Sequence, residues 1–175
     1  MTWTELITCG IDEAYKVSDN LMSMVKDDEL AWKPATGHNW MTVGQLMKHM
    51  TESCGMCCKG FVTNDWGLPE GMAMSDLPPE QMMPPAEKLP TVGSVAEARK
   101  LLAADKQVAL AMVAQAGEAN LEGQKMAAPW EPDAEKSLGM HLFGMVMHLN
   151  QHKGQLFYYL KLMGRDVNTM HLWGV

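Results

Sequence analysis

The sequence predicts an all-α fold, a four-helix bundle. Three observations carry the prediction. Four long segments place apolar residues at helical spacing. Two of them begin with helix-capping signatures. No segment alternates apolar and polar residues over strand length between turn signals. With 175 residues, 47% of them hydrophobic, the chain suits one domain, 1–175, with a substantial core.

The first helix is expected from about Thr4 to Lys26, where Ile7, Ala14, Val17, Leu21 and Val25 recur at helical spacing. The second starts at Thr42, where Thr-Val-Gly-Gln is a capping-box pattern, and runs through Leu46, Met50 and Met56 to about Val62. A similar Ser-Val-Ala-Glu pattern at Ser94 opens the third, which is rich in Ala and Leu and ends near Ala116, with Gly117 as its stop. The fourth follows Ser137 and runs to about Met163, closed by Gly164. Between the second and third helices, Asp65 to Gly93 holds most of the prolines, so it cannot be mostly helix. A connection that long is read as a crossover along the bundle, leaving helices two and three parallel. Glu118–Lys136 and Arg165–Val175 read as a loop and a tail.

Charge and composition narrow the function classes. The formal net charge is −7 and the fourteen Lys and Arg are scattered. That argues against nucleic acid, which demands a basic stripe, and against anionic membrane surfaces. No run approaches the roughly 20 apolar residues of a membrane span. The N-terminal segment lacks a basic start and apolar run, so a cytoplasmic location is expected. The four cysteines, three of them in Cys54-Gly-Met-Cys57-Cys58, do not form a secreted disulfide framework and are expected as reduced thiols. A small-molecule partner fits best.

The histidines carry the chemistry. His148 and His152 are four residues apart, which puts both rings on one face of the fourth helix. Both could reach one ion at metal–nitrogen distances of about 2.0–2.1 Å. Such a pair is half a site. The ordinary alternative is two surface or hydrogen-bonded histidines. His49 on the second helix could complete a three-histidine site if helices two and four are neighbours. His141 lies two turns before His148, about 10.5 Å along the axis. It is too far to share the ion but could line a pocket above it. Glu52, three residues after His49, is a candidate base or hydrogen-bond partner for a ligand ring, against the ordinary reading of an exposed carboxylate. Cys57 sits two turns beyond His49 on an unbroken helix, about 12 Å away, so it is not expected to share the metal. Met72, Met74, Met82 and Met83 cluster in the long loop. Thioethers can hold Cu(I), but adaptable packing, including an apolar Met- and Trp-lined pocket near the metal, is the plainer reading.

Together, these residues resemble the DinB/YfiT-like superfamily. Trp32-Lys33-Pro34, the run Asn39 to Leu46 and His49 are similar to the family's Trp-x-Pro turn and its first ligand helix. His148-Leu-Asn-Gln-His152-Lys-Gly154-Gln155-Leu156, followed by Tyr159, Leu160 and Gly164, resembles the family's second ligand helix, and Leu172-Trp173-Gly174 its ending. The resemblance covers nearly the whole chain. It implies a left-handed bundle of up-down-down-up order, often dimeric, with one divalent metal ion, zinc or nickel, on His49, His148 and His152. It also implies a candidate activity, since some members transfer a low-molecular-weight thiol onto an electrophile. A metal-stabilised binding protein and a metal-dependent hydrolase are the alternatives. Three histidine ligands leave a coordination position open for chemistry.

Overall fold

A computed structural model describes residues 1–175, the side chain of Pro79 excepted. Four long helical segments pack around one core. The first is α1 (Trp3–Met22), and the second is divided into α2 (Val43–Met50) and α3 (Gly55–Thr63). Next come the short α4 (Pro79–Met82) and the long α5 (Val95–Gly123). A hairpin of β1 (Lys125–Ala128) and β2 (Glu131–Ser137) precedes α6 (Leu138–Leu162), and α7 (Thr169–Trp173) closes the fold. No helix is long and apolar enough to cross a membrane.

The helix starts follow from local chemistry. Thr2 and Glu5 form a reciprocal capping box on α1, and Thr42 and Gln45 form one on α2. Ser94 caps α5 through the Glu97 N–H, but the Glu97 carboxylate reaches back to the Gly93 N–H rather than closing a box. Ile7 and Ile11 of α1, Leu46 and Met50 of α2, and Leu142 and Leu149 of α6 are fully buried. Full burial of each such side chain contributes about 1.5–3 kcal/mol.

Four sequence expectations need correcting. The second helix is not continuous to Val62, because turns at residues 51–54 separate α2 from α3. The cap of α3 comes from another helix: the Asp105 carboxylate of α5 accepts from the Gly55 and Met56 N–H groups, both at 2.9 Å. Cys54, the residue before the helix, makes no side-chain cap of its own. Gly55 is required at this junction, since a Cβ there would lie 2.1 Å from the Asp105 carbonyl oxygen. Gly117 kinks α5, with φ +70°, yet helix resumes to Gly123. The loop before α6 is a hairpin, in which Lys125 pairs with Ser137 and Ala128 with Glu131 around a bulge. Helix α1 also stops at Met22, a turn short of Lys26.

The long Asp65–Gly93 connection is tethered over α2. The capping residue Gln45 uses its carbonyl oxygen on the Thr42 N–H and its amide on the carbonyls of Glu87 (3.1 Å) and Leu89 (2.8 Å). One side chain thereby starts a helix and holds the loop that covers it.

Candidate metal centre

His49 projects from the last turn of α2, and His148 and His152 from consecutive turns of α6. The Nε2 of His148 lies 2.9 Å from that of His152 and 3.3 Å from that of His49. One ring nitrogen from each residue falls within 4.8 Å of the others, a set that could hold a metal ion. Two nitrogens bound to one ion at about 2.0–2.1 Å, subtending about 90–110°, stand about 2.9–3.4 Å apart. The separations of 2.9 and 3.3 Å lie in that range.

The protons on the rings can be assigned from their partners. The Tyr159 hydroxyl donates to the Met41 carbonyl at 3.0 Å, so it must accept from the Gln155 amide NH2 at 3.1 Å. That turns the Gln155 carbonyl oxygen toward His152, whose Nδ1–H donates to it at 3.1 Å. His148 donates its Nδ1–H to the Ser53 carbonyl at 3.2 Å. In the neutral state both rings therefore aim bare Nε2 lone pairs at each other, 2.9 Å apart. A cation between them resolves that repulsion, and tethered Nδ1–H groups are the usual partners of metal-ligating histidine. Burial lowers the proton affinity of all three rings. His49 is pushed down to about 4, first by burial and then by its two histidine neighbours. Neutral imidazole is the metal-binding form.

Aromatic packing steadies this arrangement. Trp32 and Trp40 pack edge-on to the Tyr159 ring at centroid distances of 5.3 and 6.3 Å. The Trp-x-Pro turn thus supports the tyrosine that orients Gln155, which in turn orients His152.

A cavity of about 610 Å³ opens beside the histidines, with His49 and His148 in its wall. Met82, Met83 and Leu89 of the tethered loop, Met145 of α6 and Trp130 of the hairpin turn supply its apolar lining. Asn39, Gln151 and Cys57 supply polar groups. A second cavity of about 360 Å³, between Trp66, Met72, Met74 and the hairpin, involves none of the three histidines.

The remaining candidates fall elsewhere. His141 does not line the histidine cavity. It is buried, donates Nε2–H to the Met126 carbonyl at 2.8 Å, and stacks on Phe61 at 4.4 Å. Its role is to pin β1 to α6, which fixes the hairpin carrying Trp130. Glu52 is exposed beyond the end of α2, paired with Lys48, and makes no hydrogen bond to the three rings. Cys57 stays outside the ligand trio, but the break between α2 and α3 brings it into the same cavity wall as His49. Burial raises its thiol to about 12. All four cysteines are free. Ser53, Gln155, Tyr159 and Trp130 are the contributors that spacing of the histidines alone did not single out.

No curated protein and no solved structure matches the chain. A family model described as the DinB superfamily matches residues 11–156, a stretch that includes His49, His148 and His152. The convergent histidines, the helical fold and the match over most of the chain agree, and the chain belongs to the DinB superfamily.

Proposed function

We propose that the protein is a metal-dependent enzyme that joins a low-molecular-weight thiol to an electrophilic small molecule. The observation that carries this is the convergence of three neutral imidazoles, two of which, His49 and His148, stand in the wall of a 610 Å³ cavity. His49, His148 and His152 would hold one divalent cation, zinc or nickel. A closed structural site needs no such cavity. When bound, the ion supplies Lewis acidity that favours the thiolate form of a thiol. The chain's residues do the rest. Ser53 and Gln155 fix the rings, the tethered loop and Trp130 exclude water, and the cavity accepts the second reactant.

The composition of the wall favours thiol transfer over hydrolysis. No Asp or Glu lines the cavity among the described residues. Hydrolysis would want a general base within reach of the attacking water, and Glu52 is engaged with Lys48 at the surface. A thiol bound to the ion would release its S–H proton to solvent. The thiolate would then form the S–C bond, while the displaced electron pair leaves with a leaving group or, in an addition, takes up a proton from solvent, so no base on the wall is needed. The cavity also weighs against a purely metal-stabilised binding protein. We further read the four long segments as the up-down-down-up bundle, and the protein as a homodimer. Met140, Met147, Tyr158 and Leu162 support the latter, because they are exposed and share one face of α6.

Zinc- or nickel-loaded protein incubated with a cellular thiol and a model electrophile should form the conjugate, and His148→Ala should abolish it. Absence of conjugation with every common cellular thiol would count against the proposal. Light scattering tests the dimer, which Leu162→Glu should convert to monomer.

A further inference from the structure

We infer that the electrophile handled at this site is uncharged and apolar over the part that lies on the cavity wall, an aromatic or similarly flat hydrocarbon body rather than an anion. This rests on the catalytic reading above and adds the substrate class.

The inference starts from what the wall lacks. Among the described residues, neither Lys, Arg, Asp nor Glu lines the cavity. Its surface instead comes from three methionines, Met82, Met83 and Met145, together with Leu89, Pro84 and Trp130. A carboxylate or phosphate placed against such a wall would lose its hydration and gain no cationic partner. The chain's net charge of −7 adds to the penalty. The only source of positive charge would be the ion on the histidines, and its attraction is confined to the end of the substrate that reaches it.

The wall also suits a flat apolar body. Thioethers are polarizable, adapt to irregular shapes and contact aromatic rings favourably. Trp130 is held in place from behind, edge-on to Phe61 at 5.7 Å and to Trp66 at 5.9 Å, so it presents a fixed surface. Asn39 and Gln151 offer uncharged hydrogen-bonding groups that can orient a carbonyl, nitro or ether group. A volume of about 610 Å³ lies within the range of about 300–1,000 Å³ typical of small-molecule pockets.

The test uses two probes of one shape, methyl 2-naphthoate and 2-naphthoate, titrated into the full-length metal-free protein and followed by tryptophan fluorescence and equilibrium dialysis. Metal-free protein separates the wall from the ion's own charge. The ester is expected to bind at least tenfold more tightly than the carboxylate. Met83, 64% exposed at the rim, can be replaced without disturbing the core. Met83→Lys should improve carboxylate binding at least threefold, which locates both probes in this cavity. Equal binding of the two probes, binding of neither, or an unchanged carboxylate affinity in Met83→Lys would overturn the inference. Zinc titration of the same samples keeps the two readings apart. One equivalent of zinc, lost in His148→Ala, with no ester binding, refutes the substrate class and leaves the metal centre standing. Ester binding without zinc binding refutes the metal-dependent reaction, and with it the reading of the ligand as its electrophile.

Discussion

Replacing Gln155 by Ala removes one hydrogen-bond acceptor, the oxygen 3.1 Å from Nδ1 of His152. The consequence follows from the proton chain that begins at the Met41 carbonyl. With Gln155 present, only the Nδ1–H tautomer of His152 is satisfied, and Nε2 is left bare for an ion. Without it, the ring can carry its proton on Nε2, and that tautomer must be reversed before a metal binds. The acceptor also raises the basicity of the ligating nitrogen. Losing such a partner costs roughly 10–100-fold in metal affinity, or about 1.4–2.7 kcal/mol. Here the ring is also wedged against His49 at 4.5 Å and His148 at 4.7 Å. Packing therefore retains much of its orientation, and the expected loss is near the lower end, about tenfold.

The assay is competition for zinc against a chromogenic chelator, with urea unfolding of the metal-free variant as the control. Gln155 is half-buried, so its truncation should cost metal-free stability only about 1 kcal/mol or less. Gln155→Glu keeps an acceptor and makes it anionic, so it should restore wild-type affinity or exceed it. The reasoning fails if Gln155→Ala binds zinc within twofold of wild type. It also fails if Gln155→Glu is as weak as Gln155→Ala.

Asp105→Asn sets an NH2 group against donors that now bond an oxygen, the Gly55 and Met56 N–H groups and the Tyr15 hydroxyl at 2.6 Å. It should lower stability by about 1–3 kcal/mol in urea unfolding, and zinc affinity should fall as well, because the same turn positions the Ser53 carbonyl under His148. Ser18 is fully buried with no hydrogen-bond partner for its hydroxyl. Ser18→Ala should therefore raise stability by about 1 kcal/mol, read in the same assay. His49, whose folded value of about 4 lies below the ordinary 6.5, takes up its proton later than the unfolded chain does. Through His49 alone, metal-free protein should thus lose at most about 3 kcal/mol of stability as pH falls from 6.5 toward 4, given the ring's residual exposure, and the lowered His148 and His152 act in the same sense. Thermal unfolding across that range checks it. Burial raises the Asp105 carboxyl, which acts in the opposite sense, so Asp105→Asn should steepen the loss.

The helical segments and the His148–His152 pair were legible for one reason: their signals are local. Thr42 and Gln45 announce a helix start within four residues, and the spacing of His148 and His152 places two rings on one face. His49 is different. Nothing local says that α2 lies against α6, so the place of His49 beside the pair as third candidate rests mainly on the resemblance. Met82, Met83, Met145 and Trp130 line the cavity beside the three histidines, as the expectation of a Met- and Trp-lined pocket had it, although composition could not say which of the eighteen methionines would do so. The break after α2 was hidden because its cap, Asp105, lies some fifty residues downstream of Gly55. The hairpin was hidden because Lys-Met-Ala-Ala and Glu-Pro-Asp-Ala-Glu-Lys-Ser have weak strand propensity and no alternation.

Both hidden features shape the cavity beside the histidines, through Cys57 and Trp130. On an unbroken helix, Cys57 would stand about 12 Å beyond His49 along the axis, and the Ser53 carbonyl would be committed to the helix ladder rather than free for His148. The capped break releases that carbonyl and draws Cys57 into the cavity wall. Behind the hairpin, His141 spends its Nε2–H on the Met126 carbonyl and its ring face on Phe61. That holds β1 against α6 and delivers Trp130 at the hairpin turn. Gln45 completes the enclosure by fastening the methionine loop above α2. The three histidines stand on the helices, but the cavity beside them also depends on Asp105, His141 and Gln45, which bond across sequence separations that no local pattern records. Variants at these three positions should therefore affect ligand binding in the cavity more than the fold class.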